Sequence, residues 1–168
     1  MRKALVLAVL MAVWTPTVFG QAAIREEAAG WAIRAGPLVV ELDRDAARVV
    51  SVRVGGKRLA SGTGGVHLYD GKTRKAVGSL VAAESGVVGT HESPALRVGW
   101  AAADGALKGR HEVHPEASGI RWRVTVENAG DQPQWLEVRL GLPIDPQRGW
   151  QYWDGRNAPV KVEPNSRL

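Results

Sequence analysis

The sequence predicts an all-β protein, an antiparallel β-sandwich preceded by a cleavable signal helix. Three observations lead there. A short basic start is followed by an apolar run and a breaker; the rest alternates apolar and polar residues with a period of two; and turn-forming Gly, Asp, Asn and Pro recur about every ten residues. No window of ten or more residues beyond the start carries a helical apolar stripe, so few or no helices are expected outside the signal.

Met1, Arg2 and Lys3 make the basic start, Ala4 to Trp14 the apolar run, and Pro16 the breaker. Small residues suited to signal peptidase follow at Gly20-Gln21-Ala22 and, less tidily, at Val18-Phe19-Gly20. The run is too short to span a bilayer as a helix, so residues 1–22 read as a signal peptide, with no stable membrane span after cleavage. Removing Arg2 and Lys3 takes the basic count from 22 to 20 against 17 acids, and the net charge from +5 to +3. With no cysteine there is no disulfide, thiolate metal site, catalytic thiol or lipidated N-terminal cysteine. An exported chain of this kind suits a bacterial periplasm or exterior. Roughly 150 residues remain, enough to bury about 70% of the surface of the unfolded chain, so one domain is expected over residues 23–156.

The first strands are expected at "PLVVELD", Pro37 to Asp43, and "ARVVSVRV", Ala47 to Val54, joined by a turn at Arg44, Asp45 and Ala46. In the second, Val50, Val52 and Val54 are expected on one face, with Ser51 and Arg53 on the other. Gly55-Gly56 marks the next turn. "GVHLYD" then runs to Asp70-Gly71, and "ALRVGWAAA" to Asp104-Gly105, where Asp-Gly between apolar runs is a hairpin cue because both residues tolerate positive φ. In "GIRWRVTVENAGDQPQWLEVRL", Gly119 to Leu140, Ile120, Trp122, Val124 and Val126 alternate with Arg121, Arg123, Thr125 and Glu127. Leu136, Val138, Leu140 and Leu142 alternate with Glu137, Arg139 and Gly141. The two runs are expected to form one antiparallel hairpin around Asn128, Gly130, Asp131 and Pro133, with one face buried. A sandwich is preferred to a barrel because strand lengths are uneven and the Gly-rich stretch from Gly62 to Gly65 suits a crossing at a sheet edge.

The basic residues Arg34, Arg48, Arg53, Arg97, Arg121, Arg123 and Arg139 occur singly along strands, which reads as solvated faces rather than a nucleic-acid stripe. His111-Glu112-Val113-His114 lies in an expected strand, where residues three apart point to opposite faces about 10 Å apart, so the pair is read as two histidines at a sheet edge and no metal is expected. His67 and His91 are isolated, no serine sits in a nucleophile elbow, and no Gly-rich loop opens a helix. No catalytic residue and no cofactor is expected. Of the tryptophans outside the signal, Trp122 and Trp100 read as core. "GWQYWDGRN" gathers Trp150, Tyr152 and Trp153 with Asp154, Arg156 and Asn157, a mixture suited either to a sugar ring or to packing on a neighbouring domain. Asp154 before Gly155 reads as a turn residue, since a glycosidase needs a second carboxylate at a set separation.

"VVELDRDAARVVSVRVGGKRL", "GIRWRVTVENAGDQPQWLEVRLGLPI" and "WQYWDG" together resemble the N-terminal β-sandwich, galactose-mutarotase-like, that precedes the catalytic barrel of exported bacterial glycoside hydrolases. In that family Asn-x-Gly-Asp-x-Pro recurs as a hairpin, carried here by Asn128, Gly130, Asp131 and Pro133. The resemblance covers most of Ala35 to Gly155 and implies a domain that supports a following barrel. No His or Glu here matches the mutarotase constellation. Residues 157–168, with Pro159 and Pro164, read as a linker or truncated tail. The expected function is a non-catalytic exported sandwich associated with carbohydrate processing, its partner either carbohydrate or a following catalytic domain. Two alternatives stay open: a mutarotase- or lyase-like sugar enzyme using Asp154, His111 or His114, and a cell-surface protein-interaction module.

Overall fold

Period-two alternation is realised as two antiparallel sheets in the computed structural model of the chain, which describes residues 4–12, 22–44, 48–78, 80–117, 119–142, 151–152 and 160–161. For residues 4–12, 60–63, 151–152 and 160–161 the description is of the backbone alone. The strands are β1 (Ala4–Ala12), β2 (Ala23–Glu27), β3 (Gly30–Ala35), β4 (Leu38–Asp43), β5 (Val49–Val54), β6 (Lys57–Asp70) and β7 (Leu80–Gly89). They continue with β8 (Pro94–Ala102), β9 (Leu107–Glu116), β10 (Gly119–Asn128), β11 (Leu136–Gly141), and the short pair β12 (Gln151–Tyr152) and β13 (Val160–Lys161). No helix occurs among the described residues. One sheet has the order β1-β10-β9-β8-β7 and the other β11-β6-β5-β4-β3-β2.

Within each sheet the consecutive strands form a meander, β2 to β6 in one and β7 to β10 in the other, joined by short turns, while β11 and β1 are added at one edge from distant parts of the chain. At Gly55-Gly56 both φ angles are positive, 56° and 79°, the type I′ geometry whose twist matches the flanking strands. At the turn between β8 and β9, Gly105 takes φ 71° and Ala106 N–H donates to the Asp104 carboxylate at 3.0 Å. Asp70, at the other Asp-Gly cue, accepts N–H bonds from Lys72 and Thr73 and turns the chain back beside β6 before it leaves for the other sheet.

Three sequence expectations are corrected. Gly119 to Leu140 is not a hairpin: β10 pairs with β9 and β1, whereas β11 pairs with β6 in the opposite sheet. The loop from Ala129 to Trp135 is a crossing between sheets, held by Ala129 and Gly130 N–H donating to Ala106 O and by Gly130 N–H donating to the Asn128 side chain. The Gly62 to Gly65 stretch is no crossing; it lies inside the 14-residue β6, whose first half pairs with β5 and whose second half pairs with β11. On β5, Val49 and Ser51 are buried and Val50 is exposed, because a bulge sets Val50 and Ser51 against Glu41 and shifts the phase. Val52 and Val54 beyond the bulge face the core.

The two sheets share one core, a sandwich-like arrangement built from alternate residues of both: Ile33, Val40 and Leu42 from one, Leu96, Val98, Trp100, Val113, Trp122 and Val124 from the other. Each such side chain is worth about 1.5–3 kcal/mol over its exposed state. The facing expected for β10 holds, with Ile120, Trp122, Val124 and Val126 buried and Arg121 and Arg123 exposed. Trp100 fits because its cross-strand neighbour is Gly109: a Cβ there would overlap the indole and come within 2.5 Å of Thr125 O.

The apolar run read as a signal helix has its backbone placed extended, as β1 along β10. Residues 13–21, which hold the expected cleavage positions, lie outside the described residues.

Two comparisons test this packing by thermal denaturation. Val124→Asp should abolish the folded state while Arg123→Gln leaves the melting temperature unchanged, and equal stability of the two would refute the facing. Gly109→Ala should cost about 1–3 kcal/mol through overpacking against Trp100 and the Thr125 carbonyl, and its cost should be smaller when measured in a Trp100→Leu background, where only the carbonyl contact remains.

Candidate functional site

The most buried titratable group is His111, on the core face of β9 between Trp100 and Trp122. Trp122 Nε1–H donates to His111 Nδ1 at 3.1 Å, which fixes the neutral tautomer with its proton on Nε2. Burial pushes the imidazole down to a pKa of about 4. Protonation would take the lone pair that accepts the indole N–H and set a charge among apolar neighbours, so His111 is a structural base, sealed from any outside substrate.

His114, three residues on, faces the other side of the sheet, where its own partial burial and then the charge of Arg121 lower its pKa. The two histidines therefore do not converge, as the strand spacing requires. They do not stand at a sheet edge, however, because β9 lies between β10 and β8. Among the described residues no group of three or more His, Cys, Asp and Glu is placed to hold a metal ion.

The strand arginines are on solvated faces and most are paired. Glu112 bridges Arg97 at 3.2 Å and Arg110 at 3.3 Å, Arg121 meets Glu116 at 3.0 Å, and Arg53 meets Glu41 at 3.1 Å. Such exposed pairs are each worth at most about 1 kcal/mol, so they order the face more than they stabilise it.

A different surface combines open aromatic area with fixed polar groups. Trp135 is 66% exposed, the most exposed of the large hydrophobic residues described, and its backbone is pinned by Gly71 N–H donating to Trp135 O at 2.7 Å. Residues 135, 137 and 139 share the outward phase of β11. Glu137 lies directly opposite Tyr69 and Arg139 opposite His67 on β6. The Arg139 guanidinium stacks 4.3 Å from the Tyr69 ring centroid and donates two bonds to Glu137, at 2.8 and 2.9 Å. That fork holds the Glu137 carboxyl below its usual range, with the nearby charge of Arg74 adding to the effect. Lys72 stands 5.9 Å from the Trp135 ring centroid. The result is an indole platform beside a stacked Tyr–Arg pair and a carboxylate, mounted on two paired strands. Sequence reading did not single out Trp135. The available signal was its place one residue before Leu136, in phase with the polar side of the strand.

Of the residues singled out from sequence, Trp150, Trp153, Asp154, Arg156 and Asn157 lie outside the described residues, and Tyr152 is described only as backbone in β12, paired with Val160 of β13. Trp122 and Trp100 are core, as expected. The chain matches no protein-family model, and neither curated proteins nor solved structures give a significant match.

The depressed His111 pKa makes stability depend on pH. The unfolded state binds a proton near pH 6.5 and the folded state only near 4, so the His111 contribution is intact above 6.5 and is lost as pH falls toward 4, by on the order of 3 kcal/mol at the lower limit. His111→Gln, which can still accept the Trp122 N–H without titrating, should flatten the fall in melting temperature between pH 7 and 4.5; an unchanged slope would refute the assignment.

Proposed function

We propose that this chain is an exported, non-catalytic β-sandwich associated with carbohydrate processing, the amino-terminal accessory part of a glycoside-hydrolase-like protein. The observation that supports it most is the surface of Trp135, Tyr69, Arg139 and Glu137. An exposed indole offers a flat apolar face to the C–H face of a pyranose, while a guanidinium and a carboxylate beside it offer a donor and an acceptor to ring hydroxyls. The platform is rigid because its residues sit on paired strands or are tied to them, which lowers the ordering cost of binding. The burial of His111 and its separation from His114 remove those two residues as a catalytic pair, which weighs against the sugar-enzyme alternative. The mixture of aromatic and polar residues at Trp150, Tyr152, Trp153, Asp154, Arg156 and Asn157 suits a second contact, with carbohydrate or with a following domain.

Titration with mono- and oligosaccharides, followed by tryptophan fluorescence, tests the proposal. The wild-type chain should respond to at least one sugar. Trp135→Ala should weaken that affinity roughly tenfold, about 1.4 kcal/mol, without lowering the melting temperature. Absence of any response, together with unchanged stability in Trp150→Ala, would count against sugar contact and domain packing alike.

A further inference from the structure

The five-stranded sheet ends on β1, the segment read as part of a leader, and without β1 it would end on β10. The pairing is unbroken over nine residues, from Ala4 opposite Glu127 to Ala12 opposite Gly119, with no register shift. β10 contains no proline and no bulge, so without β1 it is a long flat row of open N–H and C=O groups. The other edges are blunted: β7 carries a register shift between Ala82 and Glu84, and β2 and β11 are only five and six residues long.

The opposite sheet provides a floor for whatever occupies this edge. β2 passes beneath β8 and β3 beneath β9 and β10, so β4, β5, β6 and β11 follow in order beyond β10. Removing β1 withdraws the strand next to β10 on that side. The main-chain donors and acceptors left open along β10 favour replacement of the lost strand. On the outer face of β10, Arg121 and Arg123 stand two residues apart. Arg121 has an ion pair with Glu116, and Arg123 has none among the described residues. In the observed register the positions opposite them are Leu10 and Ala8.

We propose that removal of the leader turns the β10 edge into a strand-acceptor site, taken in the mature protein by an extended segment of a partner polypeptide, antiparallel to β10, with alternate apolar residues and acidic residues opposite Arg121 and Arg123. This rests on the leader reading and gives the accessory module a means of docking that is separate from its sugar contact. Main-chain bonds supply affinity and the alternate side chains supply selectivity.

The test uses the exported, processed protein, its N-terminus read by mass spectrometry. The probe is a capped peptide of residues 4–12 carrying Ala8→Glu and Leu10→Glu, and the controls are the same peptide with Lys at both positions and the Glu peptide with Leu7→Pro. The Glu peptide should bind one to one, slow amide exchange across residues 119–128, and bind at least about tenfold more tightly than the Lys peptide, while the Leu7→Pro peptide gives no protection. No protection by the Glu peptide, equal binding of the Glu and Lys peptides, or equal protection by the Leu7→Pro peptide overturns the proposal. Recovery of protein that retains Met1 to Ala12 also overturns it, since the chain then fills its own edge; that outcome is read by mass alone, and the saccharide titration is unaffected by it.

Discussion

The structure depends on one constraint: alternate side chains of two sheets must be removed from water together. Neither sheet has a polar inner face. The strands β8, β9 and β10 present Trp100, Val98, Leu96, Val113, Trp122 and Val124, which share one core with Ile33, Val40 and Leu42 of the opposite sheet. Burial on this scale is the main favourable term available to a chain without disulfides, and it fixes which face of each strand is left to solvent. Bulky indoles set the local spacing: Trp100 over Gly109 and Trp122 against His111 make a tightly filled centre in which a single methyl group is too much.

That division of faces explains where chemistry can and cannot occur. His111 has the residue type of a catalytic base, but its position on the inner face makes it a hydrogen-bond acceptor for Trp122. The outer faces carry paired charges that hold side chains in place across strands, with Arg97, Glu112 and Arg110 as the extended example. Among the described residues an open aromatic surface lies at β6 and β11, because Trp135 falls on the polar phase of a strand that begins with the next residue.

Much of the fold was legible before the coordinates. Alternation in Ile120 to Val126 gave the facing of β10, and Gly55-Gly56 and Asp104-Gly105 gave two turns with their physical cause. What alternation does not carry is the identity of a strand's partner. The segments around Asn128 and Pro133 both alternate, yet a seven-residue connection is long enough to change sheets, and nothing local distinguishes that from a hairpin. The bulge at Val50 was hidden because "VVSVRV" puts three valines in the phase of Val50, Val52 and Val54, and an extra residue in the strand leaves no mark on that alternation. As for surface chemistry, the enrichment of aromatics drew attention to the segment near Trp150, whereas the signal available for Trp135 was its phase relative to its neighbours.

The change of partner along β6 has a kinetic consequence. Lys57 to Gly64 closes against β5 through a two-residue turn, a local event, but the stretch from Gly65 to Asp70 waits for Leu136 to Gly141, about seventy residues later. Closing so long a loop is entropically slow and comes late. A chain emerging amino end first therefore carries half of its longest strand unpaired until nearly all of the two sheets has been delivered, and that interval is when it is most exposed to association with other unfolded chains.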